Sequence, residues 1–585
     1  VTRGPDRTPR RVRRDRSDRL EPPLAVHRAG EVALLAEYPD TRAVLAAAAA
    51  VGELAPATLL DLVPAERTLL LVGSAAQDLP VLDALLRDLP GAATQEEANA
   101  EVSVDIVYDG EDLAEVAELL EISTQALITA HSAATWTAAF GGFAPGFAYL
   151  LPDAPTDPAR PVGPPWEVPR RAEPRTEVPA GAVGLAARYC GIYPRSSPGG
   201  WQLIGRTDVS LFDVDREPPA LLTPGTRVRF TPRRPTARAS ARTAAFTQVA
   251  RDAAAVPGRR GRRRGAAGAP TSGQPALEVL APGPLTLLED TGRPGRAASG
   301  VSCSGAFDRG AMLRANLAVG NPTAAAVLEI VAGPLRLQAR AATVIAVSGA
   351  RAPLVLHRAD PESTDLELSP EESHELPIAL DPGDRLELGP VTEGLRLVLA
   401  VRGGLRGVGA AGAVLGSLSR DTLSALGPAP LVAGDLLLVG PEERLDAVPT
   451  PVRGEDATLL DHTSPAVLDV PVHAGPRDAL LGAATLRQLL ATTWTVRPDS
   501  DRVGVRLDGD PLTAPSDSGS SPSEPMRPGA IQVPPSGSPV VFGPDHPTTG
   551  GYPVIAVVTR EGLDALAQAA TGTGLRFVAV PSSPR

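Results

Sequence analysis

The chain contains no lysine: all 56 residues counted as Lys plus Arg are arginines. That excludes a GK[ST] phosphate loop, a Schiff-base lysine and a lysine-borne biotin or lipoyl group, so chemistry needing any of these must come from another polypeptide. Cysteine is nearly as scarce. Cys190 and Cys303 lie far apart, which gives no basis for a disulfide framework or a paired-cysteine metal site and makes a cytoplasmic address the default expectation. No apolar run approaches the roughly 18 residues of a membrane helix, since the alanine-rich stretch at Ala46 is interrupted by Gly52 and Glu53. Excess positive charge is absent too: a net charge of −12 argues against nucleic acid as the main partner. The arginine-rich beginning has no apolar segment and does not read as a secretory signal.

What is present is a soluble globular composition, 43% hydrophobic, in 585 residues. That length exceeds one hydrophobic core, and three to four domains are expected. Residues 1–28 carry mixed charge without apolar period and read as a disordered tail. Residues 29–104 read as a small α+β domain. Its strands are "EVALLAEY" (Glu31–Tyr38) and "RTLLLVGS", with a helix capped by Asp40 or Thr41 between them. The alternating strand Val102–Tyr108 and helices from Glu111 and Ser123 group with this unit, although the boundary is drawn at 104–105. Residues 105–234 read as a β domain, because from Phe140 onwards glycine and proline punctuate short strands. Residues 235–275, with "PGRRGRRRGAAGAP", form a low-complexity linker. Residues 276–585 read as a second β-rich domain.

A repeat spans the linker. "SPGGWQLIG" (Ser197–Gly205) and "TTGGYPVIA" (Thr548–Ala556) share the order Gly-Gly-aromatic-x-x-Ile. Upstream of each lies a second match, "PAGAVGLA" (Pro179–Ala186) against "RPGAIQVP" (Arg527–Pro534). Gly181 precedes Gly199 by 18 residues, and Gly529 precedes Gly550 by 21. Two such pairs in the same order indicate related β domains. Each Gly-Gly fits a type I′ or II′ hairpin, or a backbone nest for an anion or carbonyl oxygen beside Ser197, Thr548 and Thr549.

The run "GGFAPGFAYL … PRTEVPAGAVGLAARYCGIYPRSSPGGWQLIGRT … LLTPGTRVRF" resembles the B subunit of 5-oxoprolinase, a family also described as allophanate hydrolase subunit 1-like or KipI. "APGPLTLLEDTGRPG", "SGAFDRGAMLRANLAVGN", "SDRVGVRLDG" and "PGAIQVPPSGSPVVFGPDHPTTGGYPVIAVV" resemble the C subunit of 5-oxoprolinase, also described as KipA, allophanate hydrolase subunit 2-like or biotin-dependent carboxyltransferase-like. The resemblance covers about residues 29–232 and 277–580. It implies a mainly β fold of two cyclophilin-like barrel modules joined by a flexible linker, with the small α+β domain near the N-terminus. It also implies ATP-dependent opening of 5-oxo-L-proline to L-glutamate with a separate A subunit of the lactam-utilisation type. ATP, with Mg, is expected on or with that partner. Neither a metal site nor covalent biotin is expected on this chain, and the oligomeric state stays open. Carboxyl transfer from a partner-borne carboxybiotin and binding of a histidine kinase are the alternatives. Fusion weakens the last, since it would tie inhibitor to antagonist.

Opening a lactam that bears a carboxylate calls for arginines, backbone donors for an oxyanion and a general acid/base. His131 matches a family histidine, and Asp290 and Asp501 match family aspartates; these three are the catalytic candidates. The substrate-binding candidates in the first half are Arg175, Tyr193, Ser197, Gly199, Gly200, Trp201 and Arg206. Those in the second are Arg293, Asp308, Arg502, Gln532, Thr548, Thr549, Gly550, Gly551 and Tyr552. Against these roles stand a core histidine, Asx turns for the aspartates and surface ion pairs for the arginines. Pro547 replaces the glutamine usual before this Thr-Thr-Gly-Gly, removing a backbone donor and an amide side chain.

Overall fold

A computed structural model describes residues 19–91, 101–153, 166–234, 273–442, 445, 447–448, 467–513 and 522–580. Residues 1–18 of the expected tail and 235–272 of the expected linker lie outside the described residues.

The first unit is an antiparallel sheet in the order Ala25–Arg28, Ala33–Glu37, Thr68–Gly73, Leu59–Pro64. Helix Thr41–Leu54 starts where the Asp40 side chain accepts the amide of Ala43 and stops at Ala55, whose left-handed φ of 35° ends the ladder. Val44, Ala47 and Val51 on its inner face meet Leu34, Leu69 and Leu71 of the sheet and Leu82 and Leu86 of helix Leu79–Arg87.

The strand Glu101–Ile106 does not belong to this unit, which corrects the expected grouping and the 104–105 boundary. It pairs in parallel with Arg227–Pro232, Val104 facing Phe230 and Ile106 facing Pro232. Its alternation is as expected, with Val104 and Ile106 buried and Ser103 and Asp105 exposed. Helices Leu113–Leu119 and Thr124–Ala133 follow it and contribute Leu113, Val116 and Leu127 to the same core.

That core lies inside a seven-stranded sheet ordered Gln202–Arg206, Ala182–Ala186, Tyr189–Ile192, Ala148–Pro152, Thr135–Gly141, Arg227–Pro232, Glu101–Ile106. The sheet curls until its edges touch at one bridge, Val107 to Arg206. The second half is not one domain, contrary to expectation, but two. Residues 274–439 build a seven-stranded and a five-stranded sheet that share a core, with Leu277, Leu337 and Leu437 from one against Leu328, Leu397 and Leu399 from the other. Residues 467–579 close a seven-stranded barrel, where Val467–Ala474 pairs in parallel with Gly574–Ala579 and antiparallel with Val554–Val558.

The half-barrel and the closed barrel have one topology. Each opens with a strand parallel to its last strand and then inserts two helices. Each second strand carries, within its first two residues, a tryptophan whose indole N–H donates to a carbonyl five residues back, Trp136 to His131 and Trp494 to Leu489. The duplication read from the sequence is therefore a duplication of structure.

Candidate functional site

The two glycine pairs occupy the same position in both barrels. Trp201 and Tyr552 each stand five residues before the residue that faces the first strand, Arg206 opposite Val107 and Val557 opposite His473. The first glycine of each pair ends a strand of a two-stranded ribbon, Ser197–Gly199 with Arg175–Val178 and Thr549–Gly550 with Glu524–Pro525.

Neither pair is a primed hairpin turn. Such turns need positive φ at a central residue, and none of Gly199, Gly200, Gly550 and Gly551 has it. Close approach explains Gly199 and Gly550 instead. A Cβ on Gly199 would lie 2.4 Å from the Tyr193 hydroxyl, and one on Gly550 would lie 2.9 Å from Gln532 Nε2. Gly200 is open, with nothing nearer than Pro174 Cγ at 3.7 Å. Trp201 and Tyr193 are core residues, packed edge-on against Phe147, while Tyr552 is 40% exposed.

The second pair joins the halves. Thr548 and Thr549 donate their hydroxyl protons to the carbonyls of Gly142 and Gly141, at 2.7 and 3.1 Å, which corrects the expectation that these hydroxyls face a ligand. The "GGFAPGF" loop is held from its other side as well. Gly146 N–H donates to Ser299, a Cβ on Gly141 would meet Ala298 O at 2.7 Å, and one on Gly300 would meet Ala144 O at 2.3 Å. The small domain seals the junction. Arg477 of the closed barrel binds both Glu37 and Glu524, and Asp61 accepts the amide of Gly295 at 3.1 Å. Burial pushes the Asp61 carboxyl up to about 6.

His131 is not at this junction. It lies fully buried among Trp136, Trp166 and Phe230, with Nδ1 2.7 Å from the Tyr108 hydroxyl and Nε2 3.4 Å from Cys190 Sγ. Desolvation lowers its pKa to about 3, so the imidazole is neutral and enclosed, and the expected acid/base role is withdrawn. The aspartates have filled acceptors. Asp290 takes the hydroxyls of Ser417 and Ser419 and the amides of Leu418 and Gly292. Asp501 takes the amides of Val503 and Gly504 in an exposed Asx turn. Asp308 caps helix Arg309–Ala318 and accepts from Gln568.

Among the expected arginines, Arg175 and Arg171 bind Asp112, whose other oxygen accepts the amide of Leu203; this clamp positions the first glycine segment. Arg206 pairs with Asp109 at 3.0 Å. Arg502 is buried between the sandwich and the closed barrel, on Glu329 at 2.6 Å, Asp545 at 2.9 Å and Glu289 at 3.3 Å. It is a structural centre, not a pocket-mouth residue. Gln532 donates to the carbonyl of Tyr552.

Several buried arginines keep a donor without a protein partner, Arg527 at the junction among them. Arg293 is 2% exposed and spends one N–H on Ser419 O, while its Nε and Nη1 have no protein partner. Arg420 and Arg195 each keep a buried Nε without a partner, as does the Ser197 hydroxyl. No group of three His, Cys, Asp or Glu suited to a metal occurs among the described residues. No helix among them is long and apolar enough to cross a membrane.

Curled sheets of this kind, paired across a glycine-rich junction, define a duplicated β-barrel protein of carboxyltransferase type. Residues 24–222 match the family model "Carboxyltransferase domain, subdomain C and D", and residues 299–579 match "Carboxyltransferase domain, subdomain A and B". The 5-oxoprolinase C subunit of Escherichia coli (strain K12) is 32% identical over 305 residues, covering 52% of this chain and 90% of that protein. The 5-oxoprolinase B subunit of Escherichia coli O157:H7 is 44% identical over 138 residues, 23% of this chain and 58% of that protein. The chain thus spans little more than half the length of such B-type relatives. Urea amidolyase of Lachancea kluyveri is 30% identical over 328 residues, 52% of this chain and 17% of that protein. The crystal structure of TTHA0988 superposes with a TM-score of 0.73 at 31% identity, covering 95% of this chain and all of that one. The chain belongs to the family of 5-oxoprolinase B and C subunits, as a fusion with the B-like half first and the C-like half second.

Proposed function

We propose that this chain is the fused B/C component of an ATP-dependent 5-oxoprolinase, opening 5-oxo-L-proline to L-glutamate with a separate partner protein. The observation that carries this reading is the junction itself. The C-type glycine segment meets the B-type half in one body, with Thr548 and Thr549 donating to the carbonyls of Gly142 and Gly141 in the "GGFAPGF" loop. In the reaction the γ-phosphoryl of ATP passes to the lactam oxygen, water attacks the activated carbon, the C–N bond breaks to leave a γ-glutamyl phosphate, and a second water releases phosphate and the γ-carboxylate. The ring nitrogen takes up protons as it becomes the free amine. ATP and Mg sit on or with the partner, consistent with a chain that has no lysine for a phosphate loop.

Proton transfer also falls to the partner in this scheme. His131 is enclosed, and His546, also buried, is lowered to about 4 by desolvation. This chain's contribution is then to bind and orient the substrate and exclude water. Purified chain, candidate partner, ATP and 5-oxoproline should release glutamate, and either protein alone should not. No glutamate from two verified folded proteins would overturn the proposal. The urea amidolyase likeness favours a second reading, carboxyl transfer to an amide from a carrier-borne carboxybiotin. Carboxylation of urea by this chain with a biotin carrier and carboxylase, and no glutamate release, would select it.

A further inference from the structure

We propose that Glu289 holds a proton at neutral pH, and that this proton leaves Arg502 free to join the closed barrel to the sandwich. The docking of these two units is then pH-sensitive, whatever reaction the chain serves.

Alternation along the strands puts the acid where the two units meet. In Leu285–Glu289 and Val327–Val331, the side chains of Leu288, Leu328 and Ile330 belong to the sandwich core. Glu289, paired with Val327, and Glu329, paired with Leu287, therefore lie on the other face. Leu397 and Leu399 of Glu393–Val401 fill the same core, which puts Arg396 on that face as well. The closed barrel meets it with Arg502 and Asp545. Glu289, Glu329 and Asp545 are fully buried, and so, to 2% exposure, is Arg502.

Arg502 spends its donors on the other acceptors. Nη1 donates to Glu329 at 2.6 Å, Nε to Asp545 at 2.9 Å, and Nη2 to Gly305 O at 2.7 Å and Asp545 at 3.2 Å. Glu289 lies 3.3 Å from Nη2, and neither of its oxygens receives a hydrogen bond. An ionised carboxylate buried without donors is strongly disfavoured. The hydroxyl beside it, Ser419, gives its proton to Asp290 at 2.6 Å and takes the Asp290 amide on one lone pair. Towards Glu289 the Ser419 oxygen can only accept, which an acid O–H satisfies and a carboxylate does not. The charges agree. Arg502 and Arg396 are matched by Glu329 and Asp545. Arg420, whose amide donates to Leu288 O, and Arg293, on Ser419 O, are matched in number by Asp421 and Asp290. A further negative charge has no cation left to face. Burial, the largest influence, pushes the Glu289 carboxyl well up, with Arg502 opposing and Glu329 and Asp545 reinforcing it. Once ionised, Glu289 competes with Glu329 and Asp545 for Arg502. The stability that the protonated form supplies is complete below the ordinary 4.5 and is lost as pH rises through the raised value.

The test compares the full chain with Glu289→Gln, whose amide N–H replaces the acid O–H, and with Glu289→Met, which is neutral and of similar length. Relative to each variant, the parent's unfolding constant in denaturant melts should rise with pH between about 5 and 8, by up to about 10-fold per unit. At neutral pH the infrared difference spectrum of parent against Glu289→Gln should show the C=O stretch of a protonated carboxylic acid. Amide exchange at Phe307 and Thr422, whose N–H groups donate to Glu329 and Asp545, should speed up with pH in the parent relative to Glu289→Gln. A carboxylate signal alone at neutral pH, or a parent-to-variant ratio that stays constant with pH, would overturn the proton. An acid signal with equal exchange in parent and variant would overturn its role in docking. If Glu289→Gln does not fold, Glu289→Met carries the same comparisons. Failure of both to fold would also contradict the proposal, because a neutral side chain is what this position is assigned.

Discussion

At the scale of single residues, burial decides between chemistry and packing. His131 is a titratable side chain in a motif, yet it is surrounded by rings and held neutral. Its folded pKa lies below the ordinary 6.5, so the unfolded chain takes up a proton first as pH falls. Stability supplied by the neutral form is complete above about 6.5 and is lost as pH drops towards 3, at up to ~1.4 kcal/mol per pH unit. His131→Phe should flatten that part of a melting-temperature profile, and the pH–rate profile of the assembled enzyme should keep its limbs. An unchanged stability profile would contradict the burial argument. The glycine pair divides in the same way. Gly199→Ala drives a methyl into Tyr193 and should cost about 1–3 kcal/mol in a denaturant melt. Gly200→Ala meets nothing closer than 3.7 Å and should stay within about 0.5–1 kcal/mol. The sequence shows a glycine pair at this place but not that Gly199 alone is crowded, because Tyr193 returns through the fold.

At the scale of elements, periodicity reports which face of a strand is buried, not which strand it pairs with. Val104 and Ile106 are legible as inward residues. Their partner strand, Arg227–Pro232, lies over a hundred residues on, and nothing local announces it. The same limit hides the division of the second half, where short strands of similar style feed a sandwich and then a barrel. The repeat is legible because both copies keep glycines where backbones approach, and Gly181 and Gly529 both take positive φ, at 81° and 84°. The two barrels differ at the seam. Val472, His473 and Ala474 close the second barrel through three pairs with Ala556–Val558, whereas the first closes at one bridge, Val107 to Arg206. Hydrogen exchange should therefore be faster around Val107 than along Val472–Ala474. Equal protection would mean that the first barrel closes in solution.

At the scale of the whole molecule, the halves are locked by many independent contacts: two threonine hydroxyls on the glycine loop, Arg477 between two glutamates, and Arg527 on the carbonyl of Ala29. A protease site introduced between residues 235 and 272, once cut, should leave two pieces that still elute together, and separation at low salt would contradict the shared body. The family and the pairing of halves can be read from motifs. The contacts that lock them cannot, because Thr548 and Thr549 meet Gly142 and Gly141 only when the halves dock. The most direct measurement of the central claim is glutamate release from 5-oxoproline and ATP by this chain with its partner protein, run beside each protein alone. Release that needs both proteins is the expected result, and no release from the folded pair would contradict the function.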